Sequence, residues 1–425
     1  MNRDKPIGIS DLSLYLPRPH IELRTLLEHR IRSTPSLERR LRRALSTTGQ
    51  LDMRFPELWQ DNSTLAAQST HDLLTAKHAP DISRLRYISV GTETPVDHSK
   101  PVAAYVEGML QRGGLDIPTS LSTSQVQHAC AGGTVALMSV GALLQLSSCE
   151  DESGVVICSD IARYDAPSTA EITQGAGAVA MSVENDPKLV EMDLATPGYS
   201  SKDVDDFFRP LGSTTAKVKG GYSVQCYHEA LDAAFLDHCA RRESAPDKVL
   251  TETDMFVVHV PFYRMAITAM SNLLSKHVGG AEEDIERFLD DRGFYQSLDP
   301  TRYIGNIYSG SVYMALMFQL AERYNALGDD IVGKNVLLAS YGSGNTMVVL
   351  SMKVAETAPQ VITEWDLDRV LANARETSID EYEAWLECPL DREEYAQRIE
   401  NMEIPRGAYH LASIREDGYR EYRVG

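Results

Sequence analysis

Residues 127–144 read QHACAGGTVALMSVGALL, and the fold turns on this stretch. Cys130 stands before three small residues, Ala131, Gly132 and Gly133, which open an unbroken run of small and apolar residues long enough for a helix. Working outward, apolar runs of strand length flank it at 87–90, 154–158 and 176–183. The same order returns at 254–260, 334–340 and 346–354, with GNIYSGSVYMAL (305–316) where the cysteine stretch stood. Segments of helical periodicity lie between the strands, at 101–110, 133–146, 224–241, 266–276 and 311–324. Short apolar strands alternating with helices predict an α/β protein with a buried sheet, and the recurrence predicts two related halves, 1–190 and 191–425. Asn306 then stands in the second half where Cys130 stands in the first. Each half has one further chemically capable residue just past its first strand, Glu93 and His259.

Composition narrows the function classes. Of 425 residues, 43% are hydrophobic and 24% charged, which excludes wholesale disorder. Lysine and arginine number 41 against 61 acidic residues, a net charge of −20 that opposes nucleic-acid binding. Arg39, Arg40, Arg42 and Arg43 run against this balance, as a solvated helix face or a seat for a phosphorylated ligand. Six cysteines at 130, 149, 158, 226, 239 and 388 form no CxxC pair, so reduced thiols are expected and no metal site. MNRDKPIG lacks a signal-peptide pattern, and the apolar stretches read as too short or too interrupted to span a bilayer. A cytoplasmic protein without a membrane partner is expected. The tract 380–403 is charge-rich and reads as surface helices appended late.

Each candidate site residue has an ordinary reading beside a chemical one. Cys130 is either a buried structural thiol or a nucleophile, because unpaired N–H groups at a helix N-terminus favour a thiolate and an oxyanion. His259 ends an apolar strand before Val260 and Pro261, as a core histidine or as a donor to a carbonyl. Asn306 either caps the following helix or donates its amide to a substrate carbonyl. Glu93, leaving an apolar strand, is a loop carboxylate or a base whose pKa an apolar pocket raises. SYGSGNT (340–346) is a glycine-rich turn without the GxxxxGK[ST] of a nucleotide phosphate loop.

Together, VGTETPVDHSKP, QHACAGGT, SDIARY, TQGAGAVAM, DVDDFFRP, FVVHVPFYRMA, YIGNIYSGSVY and SYGSG occur in an order that resembles the 3-hydroxy-3-methylglutaryl-CoA synthase family of the thiolase superfamily. The similarity runs from GISDLSLYLP near the start to about Met352. The resemblance implies a thiolase-like fold of duplicated αβαβα halves with a charged C-terminal extension. It implies Cys130 as the acylated nucleophile, Glu93 as general acid/base and His259 as partner of the acceptor carbonyl. Asn306 and Ser343 correspond to acceptor-positioning and oxyanion positions, Tyr308 and Gly342 to the pocket wall, and Asp160 and Asp206 to supporting acids. Acetyl-CoA and acetoacetyl-CoA would be the substrates, with no other cofactor, in a homodimer serving the mevalonate route to isoprenoids. Ala131 and Ile172 depart from the family pattern, which often has an aromatic residue and a proline there; a wider pocket floor and an altered loop are expected. An acyl carrier protein as acceptor carrier, a 3-ketoacyl-synthase-type condensation and a non-catalytic scaffold are the alternatives.

Overall fold

The computed structural model describes residues 5–387, 392–400 and 402–425; Cys388 and part of the charge-rich tract lie outside the described residues. Strands β1 (Ile7–Tyr15), β2 (Leu85–Gly91), β3 (Ser122–Val126), β4 (Ser153–Ala162), β5 (Gly175–Asn185), β6 (Val190–Met192), β7 (Gly198–Ser201), β8 (Met255–Val258), β9 (Asn335–Gly342) and β10 (Thr346–Val354) share one sheet. In the first half β2 pairs parallel with β4, β4 antiparallel with β5, and β5 antiparallel with β1. In the second, β8 pairs parallel with β9, β9 antiparallel with β10, and β10 antiparallel with β7. The duplication is thus written into the hydrogen bonding. Short β6 joins the halves, antiparallel to both β1 and β10.

The strands read as unbroken apolar runs because both faces are covered. Val156, Cys158, Val179 and Met181 belong to one core, while the alternating Val155, Ile157 and Ala180 belong to another. Helices α1 (Glu38–Thr48), α2 (Asn62–Thr75), α3 (Val102–Arg112), α4 (Gly132–Leu146), α5 (Gly220–Arg241), α6 (Tyr263–His277) and α7 (Ser311–Leu327) supply the cover. Between the halves lie α4, against β2, β4 and β5, and α7, against β8 and β9. The Thr134 and Tyr313 hydroxyls meet at 2.8 Å across the two helices. Outside, α2 and α3 cover the first half and α5 the second, which completes the thiolase-like layering.

Two expectations change here. Ala129–Leu146 is long and apolar enough to cross a membrane by length and composition, contrary to the sequence reading; in this fold it supplies α4, a helix of the central layer. The tail is also more than surface helices. Its helices α8 (Ile379–Leu386) and α9 (Arg392–Ile399) bury Tyr382, Trp385 and Tyr395, and a closing hairpin of β11 (Tyr409–Ile414) and β12 (Arg420–Val424) packs Tyr409, Leu411 and Tyr422 into the core beside α2 and α3. A few aromatic side chains in a charged tract are enough for this, since each removes a large apolar area from water.

Candidate active site

Glycine brings the pieces together. A Cβ on Gly91, at the end of β2, would lie 2.1 Å from the backbone nitrogen of Gly133, so strand end and helix start touch through their backbones. A Cβ on Gly342 would lie 2.4 Å from the His128 carbonyl oxygen and 2.9 Å from the Ala131 nitrogen, which places the SYGSG turn against the cysteine loop. Ala131 is itself buried against Gly342 and does not line the cavity, so its small size widens no pocket floor. Ala129 before the cysteine and Tyr308 after Asn306 both hold positive φ, 43° and 46°, a strain of about 1–3 kcal/mol each that non-glycine residues accept only where packing dictates it.

The Cys130 thiol donates to Glu93 Oε1 at 3.1 Å, and both side chains are buried. Burial pushes Glu93 up to about 8, reinforced by the Asp160 charge and partly offset by Arg209. The thiol is likewise pushed well above its ordinary value, first by burial and then by Glu93. The N–H groups at the helix N-terminus, which favour a thiolate, act against this rise. Desolvation and two nearby carboxyls outweigh the dipole, and the thiol needs a base to ionise. Glu93 is in place to be that base.

His259 follows β8; its backbone N–H donates to the Ala339 carbonyl at 2.8 Å, and its own carbonyl accepts from the Tyr227 hydroxyl at 3.0 Å. Burial pushes the imidazole down to about 3, so it is neutral at physiological pH. Nδ1 is buried without a hydrogen-bond partner among the described residues, and Nε2 is the nitrogen left to meet the cavity. Gly310, not Asn306, is the N-cap of α7, and Asn306 is fixed just ahead of it. Its Oδ1 accepts from the Tyr308 N–H (2.8 Å) and the Ser311 hydroxyl (3.0 Å), which leaves the amide NH₂ for a ligand.

Asp160 holds the halves of the site to each other. Its Oδ1 accepts from the Thr92 and Thr94 hydroxyls (2.7 Å each) and from the Glu93 and Thr94 N–H groups (2.9 and 3.1 Å). Its Oδ2 accepts from the Ser309 hydroxyl (2.6 Å) and N–H (3.1 Å). Burial raises its pKa, and these six bonds oppose that rise. Asp206 accepts from the Tyr341 hydroxyl (2.8 Å), the Gly344 N–H (2.9 Å) and the Ser223 hydroxyl (3.1 Å), which fixes the turn carrying Gly342 and Ser343. Cys130, Glu93, His259, Asn306, Tyr308 and Ser343, with Asp160 and Asp206 behind them, therefore converge on one place.

A cavity of about 700 Å³ connects this place to the surface. Cys130, His259, Asn306, Tyr308 and Ser343 line it, with Arg43 and Arg264 among its exposed wall residues. Of the four clustered arginines, all exposed on or beside α1, only Arg43 lines the cavity, while Arg42 pairs with Glu38 at 2.9 Å.

Sequence reasoning passed over Arg209. Its Nη1 donates to the Glu93 carbonyl, Nη2 lies 3.6 Å from Glu93 Oε2, and the guanidinium sits 5.9 Å from the Tyr308 ring centre. A lone cation after Asp203, Asp205 and Asp206 was the available signal. Also missed were Phe207 and Tyr164, whose rings pack edge-on beside Tyr308, and the tail's reach into the site. Arg420 pairs with Asp61 at 2.6 Å; Asp61 caps α2; and the next residue, Asn62, donates to Thr92 Oγ1 at 2.9 Å and the Thr94 carbonyl at 2.8 Å, on either side of Glu93. Ile172, the second departure, is buried with Phe55, Tyr382 and Trp385, so the tail's aromatic residues shape that loop.

A buried thiol with its own base, a neutral imidazole and an amide facing one tunnel can transfer acyl groups through a covalent thioester. Residues 3–188 match the family described as hydroxymethylglutaryl-coenzyme A synthase N terminal, and 191–291 with 286–424 match its C-terminal counterpart. A hydroxymethylglutaryl-CoA synthase of Haloferax volcanii is 30% identical over 371 residues, covering 77% of this chain and 81% of that protein. A solved structure of MvaS in complex with 3-hydroxy-3-methylglutaryl coenzyme A is 32% identical with TM-score 0.84, covering 99% of this chain and all of that one. An HMG-CoA synthase complexed with CoA is 26% identical with TM-score 0.82, at the same coverage.

Proposed function

Because the chain belongs to the hydroxymethylglutaryl-CoA synthase family, we propose that it condenses acetyl-CoA with acetoacetyl-CoA to give HMG-CoA and CoA. The observation that carries this reading is the 3.1 Å contact between Cys130 Sγ and Glu93 Oε1 at the foot of the tunnel. Glu93 takes the thiol proton as Cys130 attacks the acetyl thioester and passes it to the departing sulfur, so CoA leaves as the thiol and the carboxylate is restored. Backbone N–H groups of Cys130 and Ser343 receive the carbonyl oxygen as it becomes negative. Glu93 then removes a proton from the acetyl methyl group, and the enolate attacks the acetoacetyl ketone, which accepts hydrogen bonds from His259 Nε2 and the Asn306 amide. The proton returns to the new alkoxide, and water releases the product from Cys130. A base placed against the thiol and the acetyl carbon separates this site from decarboxylating condensation, which makes its carbanion without one. The product suits the mevalonate route.

Arg43 and Arg264, on the exposed wall of the tunnel, would receive the CoA phosphates; among the described residues neither forms an ion pair. Reversing both charges, Arg43→Glu with Arg264→Glu, is expected to raise KM for acetoacetyl-CoA about tenfold with little change in kcat, the scale of two exposed ionic contacts. Steady-state kinetics check this, run beside a competition between acetoacetyl-CoA and an acetoacetyl carrier protein at matched concentration. The net charge of −20 repels an acidic carrier, so free CoA thioesters should win; preference for the carrier would overturn the choice of acceptor.

The pH dependence has a definite sign. Only ionised Glu93 accepts the thiol proton, and its pKa is pushed up to about 8, so kcat/KM for acetyl-CoA should rise with pH and level off above that value. Arg209→Gln removes the charge that pulls Glu93 down, and the limb should move to higher pH, toward fuller protonation at neutrality. A profile that stays in place would limit Arg209 to packing.

A homodimer fits the exposed edge of β3, which pairs only with β2 among the described residues and leaves Ser122 and Ser124 at a free margin. Light scattering should give about twice 47.1 kDa, and a mass of one chain across a wide concentration range would refute it. The free thiols Cys130, Cys149, Cys158, Cys226 and Cys239 support a reducing compartment, the cytoplasm; fractionation of cells would place it.

A further inference from the structure

A second cavity, of about 550 Å³, lies beside the first. Glu93, Asn62, Val96 and Arg209 line it, and it includes the exposed residues His98 and Leu211, the latter 88% exposed. Cys130 lines the first cavity and not the second, Glu93 lines the second and not the first, and Phe207 and Ser343 wall both. Thiol and carboxyl, 3.1 Å apart, thus stand on different cavities.

This division answers a problem in the last step. After carbon–carbon bond formation the intermediate is held at both ends, by Cys130 through one thioester and by CoA through the other. Its own CoA arm then occupies the tunnel through which both substrates entered. Water for hydrolysis cannot follow that path while the arm is in place. We propose that the second cavity is the water site and supply route for this hydrolysis, with Glu93 at its inner end; the inference rests on the synthase reading above.

The lining suits water. Asn62 and Arg209 bring an amide and a guanidinium to the same lining as the Glu93 carboxyl, and water is held where several polar groups can bond it. Its three arginines are already engaged, since Arg209 faces Glu93, Arg420 is paired with Asp61 and Arg163 donates to the Leu386 carbonyl. In the step itself the water oxygen bonds to the acyl carbon as the carbon–sulfur bond breaks. One water proton passes to Glu93 and from it to the departing Cys130 sulfur. The other leaves with the carboxylic acid and is lost to solvent, which restores the thiol and the Glu93 carboxylate.

Val96→Phe and Leu58→Phe would each narrow the space from a different wall without touching a reacting atom. Rapid quench with labelled acetyl-CoA and acetoacetyl-CoA, followed by mass mapping of the Cys130 peptide, reads each step. The burst of free CoA that reports acetylation should stay within about twofold of wild type, turnover should fall about tenfold or more, and the doubly tethered adduct should accumulate on Cys130. Leu211→Trp, at an exposed position, should do the same to a smaller degree and serves if an inner substitution unfolds the chain. Normal turnover with no adduct in folded variants would overturn the route. Absence of the CoA burst in the wild-type protein would instead overturn the synthase reading, so the two failures are distinguishable.

Discussion

Cys130→Ala should abolish acetylation by acetyl-CoA and lower turnover by about four orders of magnitude or more, since removing a nucleophile removes the covalent path and leaves only binding and carbonyl polarisation. Among the described residues Cys130 is the one cysteine on the tunnel wall, while Cys158 and Cys239 are buried in the core. Peptide mapping after incubation with labelled acetyl-CoA checks the assignment; label on Cys158 or Cys226 with Cys130 untouched would refute it. The fold should tolerate the change. The Sγ donates one hydrogen bond, to Glu93, and its loss leaves a carboxyl that burial already keeps largely protonated below about pH 8.

Glu93→Gln should stop carbon–carbon bond formation, a loss on the order of 10⁴, because an amide removes no proton from the acetyl methyl group. A Glu93 needed only for the enolate would leave acetylation of Cys130 intact. The 3.1 Å contact and the raised thiol pKa give Glu93 the earlier duty as well, so acetylation should slow too, on the order of 10²-fold. Single-turnover measurement of CoA release against HMG-CoA formation separates the two losses. Acetylation at the wild-type rate would show that the thiol finds another base, and equal loss of both steps would show that Glu93 acts only through the thiol.

These two residues mark the boundary between what was legible in the sequence and what was not. Glu93 and Cys130 stood out because each leaves an apolar or small-residue run at an element boundary, where a side chain can meet a ligand. His259 and Asn306 followed from the repeat, since the second half returns the same elements in the same order. The strands were readable because burial on both faces makes them continuously apolar, and their ends moved by only a few residues. The first strand, Ile7–Tyr15, was passed over as an element because Ser10, Asp11 and Ser13 interrupt its apolar run; Ser10 and Asp11 are nevertheless buried in the sheet.

By itself the sequence determined the duplicated α/β order, the glycine contacts that only a missing Cβ allows, and the choice of candidate reacting groups. These are local properties of neighbouring residues and of their spacing. Protonation was decided by the tertiary structure alone. The N–H groups at the helix terminus favour a thiolate, but desolvation depends on everything packed around the sulfur, and it outweighs them. Position was decided there too: Arg43 was selected from four arginines by which one lines the cavity, and Arg209 was set against Glu93 across 116 residues of chain. The charged tail was joined to the base through Arg420, Asp61 and Asn62 by contacts that span 359 residues. Such pairings depend on where the chain returns after folding, because a charge removed from water takes whatever partner the packing leaves beside it.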